Sequence, residues 1–256
     1  MILHEFDPNP IAIIDPLEKH LVIEGIPKVA VSCFSKTTFD RMLAELGGGE
    51  QIYCAKYANL DVPIYKASYK GIELVLCNAY VGAPGCVSLL EDIYALGVEK
   101  VVLFGTCGVL DASIQDCSII IPDSAIRDEG TSYHYAPPSD EIAVNVKYVD
   151  TFVELLEKHG CKYHIGKAWT TDGFFRETRD KVLRRKAQGC ICVEMECSAV
   201  AAVAQFRGKE AFHFFYAADN LDNEVWDERS LSNEANVVEK DRIAYLALEL
   251  AKVIEK

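Results

Sequence analysis

Positive charge is scarce in this sequence: 26 Lys and Arg stand against 39 Asp and Glu, a formal net charge of −13. A field of that sign repels phosphate backbones and anionic membranes, so neither nucleic acid nor a membrane surface is an expected partner. A small substrate stays open, because a pocket can carry its own local charge. Long apolar runs are missing too, none approaching the roughly 20 residues that a membrane helix needs. The opening MILHEFDPNP puts acids and prolines where a signal peptide needs a basic start and an apolar stretch. A soluble, cytoplasmic protein is expected. No Cys-x-x-Cys pair occurs among the ten cysteines, so finger-like metal ligation is excluded. Most of them sit in apolar runs such as IELVLCNAY, where a free thiol packs as a small hydrophobe.

What is present is ordinary globular composition over 256 residues, half of them hydrophobic. No linker-like, low-complexity or repeated segment divides the chain, and strands take turns with helices. KVAVSC (28–33) reads as a strand and SKTTFDRMLAEL (35–46) as a helix that GGG (47–49) stops. VPIYKASY and IELVLCNAY, joined by Lys70-Gly71, predict a β-hairpin. A helix over 83–97 ends near Gly97, and the strands VEKVVLF and SIIIP follow. After the polar loop 127–141 come a helix (145–160), a strand (161–171), a charged helix (176–189) and the short strand ICVEM. AFHFFYAAD (211–219) is the last clear strand, and a helix closes the chain. Such alternation argues for an α/β layered domain, read here as one unit over 1–256. The 127–141 loop is longer than ordinary connections, and Tyr133, His134 and Tyr135 in it either close over a pocket or pack as a surface cluster. The basic run Arg184-Arg185-Lys186 reads as a solvated face.

Ligands of α/β sheets bind beyond the carboxyl ends of the strands. Four such places carry chemistry: Cys33 to Ser35, GTCG (105–108), Glu194 to Glu196, and Asp219-Asn220. Carboxylates in VEME can accept hydrogen bonds from a vicinal diol, with Met195 as an apolar floor. They can equally start a helix, where acids meet the dipole and cap N–H groups. GTCG lets backbone N–H groups approach an anion beside the Thr106 hydroxyl, or is a tight turn. Asp219 ends a strongly apolar strand, which raises a carboxyl pKa and suits a proton donor.

These places together resemble the nucleoside phosphorylase-I family, from about Val29 to the final helix. VEMECSAV is close to that family's VEMEA-type signature, with GTCG, EGTSYHYAPP, WTTDGFFRET and AADN in support. The resemblance implies an α/β fold with a central mixed β-sheet partly closed into a barrel, flanked by helices, in a homo-oligomer. It implies cleavage of an N-glycosidic bond with phosphate as co-substrate and no other cofactor or metal. Carried over, Glu196 binds the ribose hydroxyls, Met195 packs on the sugar, and Glu194 shapes the base side of the pocket. Phe174 or Phe175 stacks on the base, Thr106 contacts phosphate, and Asp219 donates to the purine N7. His4 matches an N-terminal histidine that reaches a neighbouring subunit's ribose.

The sequence also departs from the family. Where relatives carry GDPxR after the first strand, this chain has SCFSKTTF, leaving Ser35, Lys36 and Thr106 for phosphate, with Arg41 nearby. A Gln-x-Arg pair for uracil is lacking and Asp219 is present, which favours purines. A uridine phosphorylase, a hydrolytic nucleosidase and a non-catalytic nucleoside-binding or storage relative remain the alternatives.

Overall fold

A computed structural model describes residues 2–16, 22–232 and 234–256. The first strand, β1 (Val29–Cys33), is buried along its whole length and leads into α1 (Lys36–Glu45). Ser35 caps that helix by accepting the Thr38 N–H. Gly47, Gly48 and Gly49 all take positive φ, which stops it. β2 (Glu50–Lys56), unforeseen in the sequence, pairs antiparallel with β3 (Asp61–Tyr69). β3 then turns through Lys70-Gly71, both at positive φ, into β4 (Ile72–Asn78). This is the expected two-residue hairpin. α2 (Ala83–Leu96) ends at left-handed Gly97, again as expected.

β5 (Lys100–Val109) brings the first correction. GTCG is not a turn but the last part of a strand, its residues paired along the neighbouring strand β10 (Glu210–Asn220). β6 (Ile119–Asp128) likewise outruns SIIIP, and β7 (Glu141–Ala143) pairs with it. α3 (Val149–Lys158) begins later than the sequence suggested, after left-handed Asn145 and Tyr148. β8 (Tyr163–Thr171) follows, and α4 (Arg179–Ala187) starts only where Thr178 caps it. β9 (Cys190–Glu194), α5 (Cys197–Arg207) and α6 (Val237–Ile254) complete the described elements.

The strands form one mixed sheet in the order β10-β6-β8-β9-β5-β1-β4-β3-β2, with β7 beside β6. Because β10 also pairs with β5, the ring β5, β10, β6, β8 and β9 closes into a five-stranded barrel. All five barrel strands contribute to one core cluster, rich in small side chains such as Ala125, Ala168, Ala217, Cys107 and Cys192. Larger clusters pack α1, α3 and α6 on one side of the sheet, and α2 and α5 on the other.

The loop 127–141 folds on itself. Arg127 donates to the Ser132 hydroxyl and the Ala136 and Pro137 carbonyls, and its guanidinium lies over the Tyr133 ring. Tyr135 packs edge-on against Phe206. The basic run of α4 corrects another expectation, since it is only partly solvated. Arg185 pairs with Asp128 over the Trp169 ring, and Lys186 pairs with Asp222. Among the described residues no helix is long and apolar enough to cross a membrane.

Candidate active site

The carboxyl ends of β5, β9 and β10 open onto a cavity of about 750 Å³. Glu194 is the last residue of β9, and Met195 and Glu196 link it to α5. The two glutamates do different things. The Glu194 carboxylate accepts the Thr170 hydroxyl and the N–H groups of Glu196 and Cys197, at 2.5 to 2.7 Å. It thereby satisfies two of the free donors at the start of α5. Thr170 in turn accepts the Ser198 N–H, so β8 and β9 hold that helix end together. Glu196 reaches the other way, accepting the N–H of Gly82 at 2.6 Å. Gly82 caps α2 at φ 93, a conformation that favours glycine. One carboxylate thus ties together the starts of two helices, whose dipoles suit a negative group. Burial pushes both carboxyls up, Glu194 to about 7 and Glu196, which also feels Glu194, to about 8.

Asp219 owes its place to a β-bulge. The register of β10 against β5 shifts between Ala217 and Asp219, which puts Asp219 beside Gly108. A side chain on Gly108 would meet Leu221 at 2.4 Å and the Asp219 Oδ1 at 3.1 Å, so this glycine leaves room for the carboxyl. Asp219 Oδ2 accepts the indole N–H of Trp226 at 2.8 Å. Burial raises the Asp219 pKa, and the Trp226 bond opposes it.

Seven of the expected site residues line this one cavity: Thr106, Phe174, Phe175, Glu194, Met195, Glu196 and Asp219. Phe174 and Phe175 form its rim, ring centroids 4.0 Å apart and well exposed. Four candidates stand elsewhere: Ser35, Lys36, Arg41 and His4. Ser35 is engaged as the cap of α1, and Lys36 bonds Asp40 from an exposed position one turn away. Arg41 pairs with Asp241. His4 is exposed in the N-terminal turn Ile2–His4, outside the lining. Tyr133, His134 and Tyr135 do not line the cavity either, which favours the packing role over the closing one.

Sequence reasoning missed much of the wall. Phe34 lines it, lying against Gly105 where any side chain would clash at 2.7 Å. Glu177 lines it without a hydrogen bond through its carboxyl among the described residues. Burial and the charge of Asp219 push that carboxyl up to about 7. The segment 221–231 supplies Leu221, Asn223, Glu224, Trp226 and Leu231. A lone tryptophan in the charged stretch NEVWDERS was the available signal. Arg179 is the one basic residue in the described lining, and it donates to the carbonyls of Leu221, Asn223 and Glu224. No group of three potential metal ligands occurs among the described residues.

A profile of the phosphorylase superfamily matches residues 28–253. The chain belongs to that superfamily. Among its relatives, a guanosine phosphorylase from Halorubrum lacusprofundi is 26% identical over 196 residues, covering 76% of this chain and 80% of that protein. A DeoD-type purine nucleoside phosphorylase from Colwellia psychrerythraea is 26% identical over 179 residues, 69% of this chain and 75% of its own. The crystal structure of a uridine phosphorylase from Vibrio fischeri superposes with a TM-score of 0.74 at 21% identity, over 91% of this chain and 96% of that one. The superfamily's fold is the expected one, a mixed sheet partly closed into a barrel with helices around it.

Proposed function

We propose that this protein is a purine nucleoside phosphorylase, splitting a purine nucleoside with phosphate into free base and ribose 1-phosphate. The observation that carries the reading is the convergence of Glu196, Met195, Thr106 and Asp219 on one cavity. In the reaction a phosphate oxygen bonds to C1′, the C1′–N9 electron pair passes to the purine, and Asp219 supplies the proton that settles on N7. Glu196 holds the 2′- and 3′-hydroxyls over Met195 while positive charge builds on the sugar. Phe174 or Phe175 covers the base, Glu194 shapes the base side by fixing the start of α5, and Thr106 offers its hydroxyl to phosphate. Ser35 and Lys36 enter this reading only through a movement of α1, and His4 only across a contact with a second copy. The protein acts in the cytoplasm as a homo-oligomer.

A second reading, hydrolysis by an activated water, is favoured by one observation. The described lining holds five acids (Glu177, Glu194, Glu196, Asp219 and Glu224) against a single arginine already bonded to carbonyls. Glu177, with its raised pKa, is the base such a water needs.

One experiment separates the two. Inosine, guanosine, adenosine and uridine are each incubated with and without phosphate, and free base is followed. Purine release only with phosphate is expected, and Glu196→Gln should lower kcat/KM at least about 100-fold. Equal release without phosphate selects hydrolysis, and faster cleavage of uridine overturns the purine assignment.

A further inference from the structure

Trp226 is more than half exposed, at 56%, yet its only polar atom points inward. An indole N–H at the surface can be satisfied by water. This one donates to Asp219 Oδ2 at 2.8 Å. The segment that carries it is restrained along its length. Asn220 and Asp227 exchange backbone hydrogen bonds in both directions. Arg179 of α4 donates to the carbonyls of Leu221, Asn223 and Glu224. Asp222 accepts the Ala112 N–H and pairs with Lys186. Beyond the tryptophan, the buried Lys240 ammonium donates to the Ser230 and Ser232 carbonyls. The indole is therefore delivered to the carboxyl by a fixed frame.

We propose that Trp226 is a positioning residue: its indole N–H holds one oxygen of Asp219 so that the other is presented to the leaving base. That second oxygen lies beside Gly108, itself part of the cavity wall. This rests on the reading of Asp219 as the proton donor. A hydrogen bond to a carboxylate favours its ionised form, so the indole also sets the pH at which Asp219 carries its proton. The other groups around Asp219 are Arg229 and Asp227 from its own segment and Glu177 from the turn before α4. β5 alongside brings Cys107, whose thiol donates to the Tyr216 carbonyl. Trp226→Phe keeps an aromatic ring on the segment and removes the N–H.

The consequences have opposite signs, which a merely structural role would not produce. Without the indole N–H the Asp219 pKa rises, so the alkaline limb of the kcat profile moves to higher pH. The freed carboxyl is also less well aimed, and kcat at the optimum falls about tenfold with KM little changed. The test pairs that profile with the two indole N–H signals of 15N-tryptophan-labelled protein, titrated from acid to alkaline pH. The Trp226 signal should titrate in the wild type and stop doing so in Asp219→Asn, whereas the Trp169 signal, whose donor serves Asp128, should persist in both. An alkaline limb that stays put in Trp226→Phe, or a Trp226 signal indifferent to Asp219→Asn, overturns the proposal. If the wild type cleaves no nucleoside, the functional reading has failed instead, and the indole titration still decides whether Trp226 governs the carboxyl.

Discussion

Glu194 and Glu196 are the same residue type two positions apart, and the backbone groups within reach separate their roles. Glu194 is consumed by the start of its own helix, whereas Glu196 reaches Gly82 on another helix and still faces the cavity. Both are costly to ionise where they are. A carboxyl whose folded pKa lies above its unfolded value keeps its proton while the unfolded chain has lost it. Stability is then highest below the unfolded pKa and falls as pH rises to the folded one. For Glu196 that window runs from the ordinary carboxyl value of 4.5 to about 8. The unliganded protein should melt at a lower temperature at pH 8 than at pH 5.5, by about 5 °C, and Glu196→Gln should flatten the slope. Calorimetry across that range checks it. A wild-type slope that the variant reproduces would remove Glu196 as its source. The residue types here were legible in VEME. Which carboxylate would cap and which would reach was not, because that choice depends on Gly82, 114 residues away in the chain.

Elements with a strong period were legible. The hairpin at Lys70-Gly71 and the stop of α2 at Gly97 follow from local sequence, because each needs a glycine at positive φ. GTCG misled for the same reason, since glycine signals a turn when read locally. Here Gly105 and Gly108 stay extended, and their missing side chains make room for Phe34, Leu221 and Asp219. The wall segment 221–231 was illegible because it has no period, and hydrogen bonds to α4, β10, α6 and the stretch 112–116 define it. A prediction follows for the strand. Gly108→Ala forces the Leu221 side chain aside and presses on Asp219 Oδ1. Stability should drop by about 1 kcal/mol, while kcat falls roughly tenfold or more because the carboxyl is displaced. Urea unfolding and single-turnover kinetics measure the two separately. A large stability loss with unchanged kcat would show that Gly108 serves packing alone.

At the scale of the molecule, strand alternation foretold the layers, but not the closure of five strands into a ring. That closure depends on β10 meeting β5 and β6 at once, a pairing between chain segments about a hundred residues apart that no window of sequence contains. The whole sheet and its helices leave seven cysteines buried: Cys33, Cys77, Cys86, Cys107, Cys190, Cys192 and Cys197. Burial pushes the Cys33 and Cys86 thiols up, Cys77 up to about 11, and Cys197 up as well. Only a thiolate attacks, so these groups are chemically silent while the protein is folded. Cys54, Cys117 and Cys161 are half-buried and should react early with an aromatic disulfide. The remaining seven should follow in a slow phase whose rate matches global opening, and ten thiols reacting in one fast phase would contradict it. The buried cysteines thus make the fold its own clock. Each slow thiol is a timer started by folding, and the fraction still unreacted records how rarely the whole fold opens.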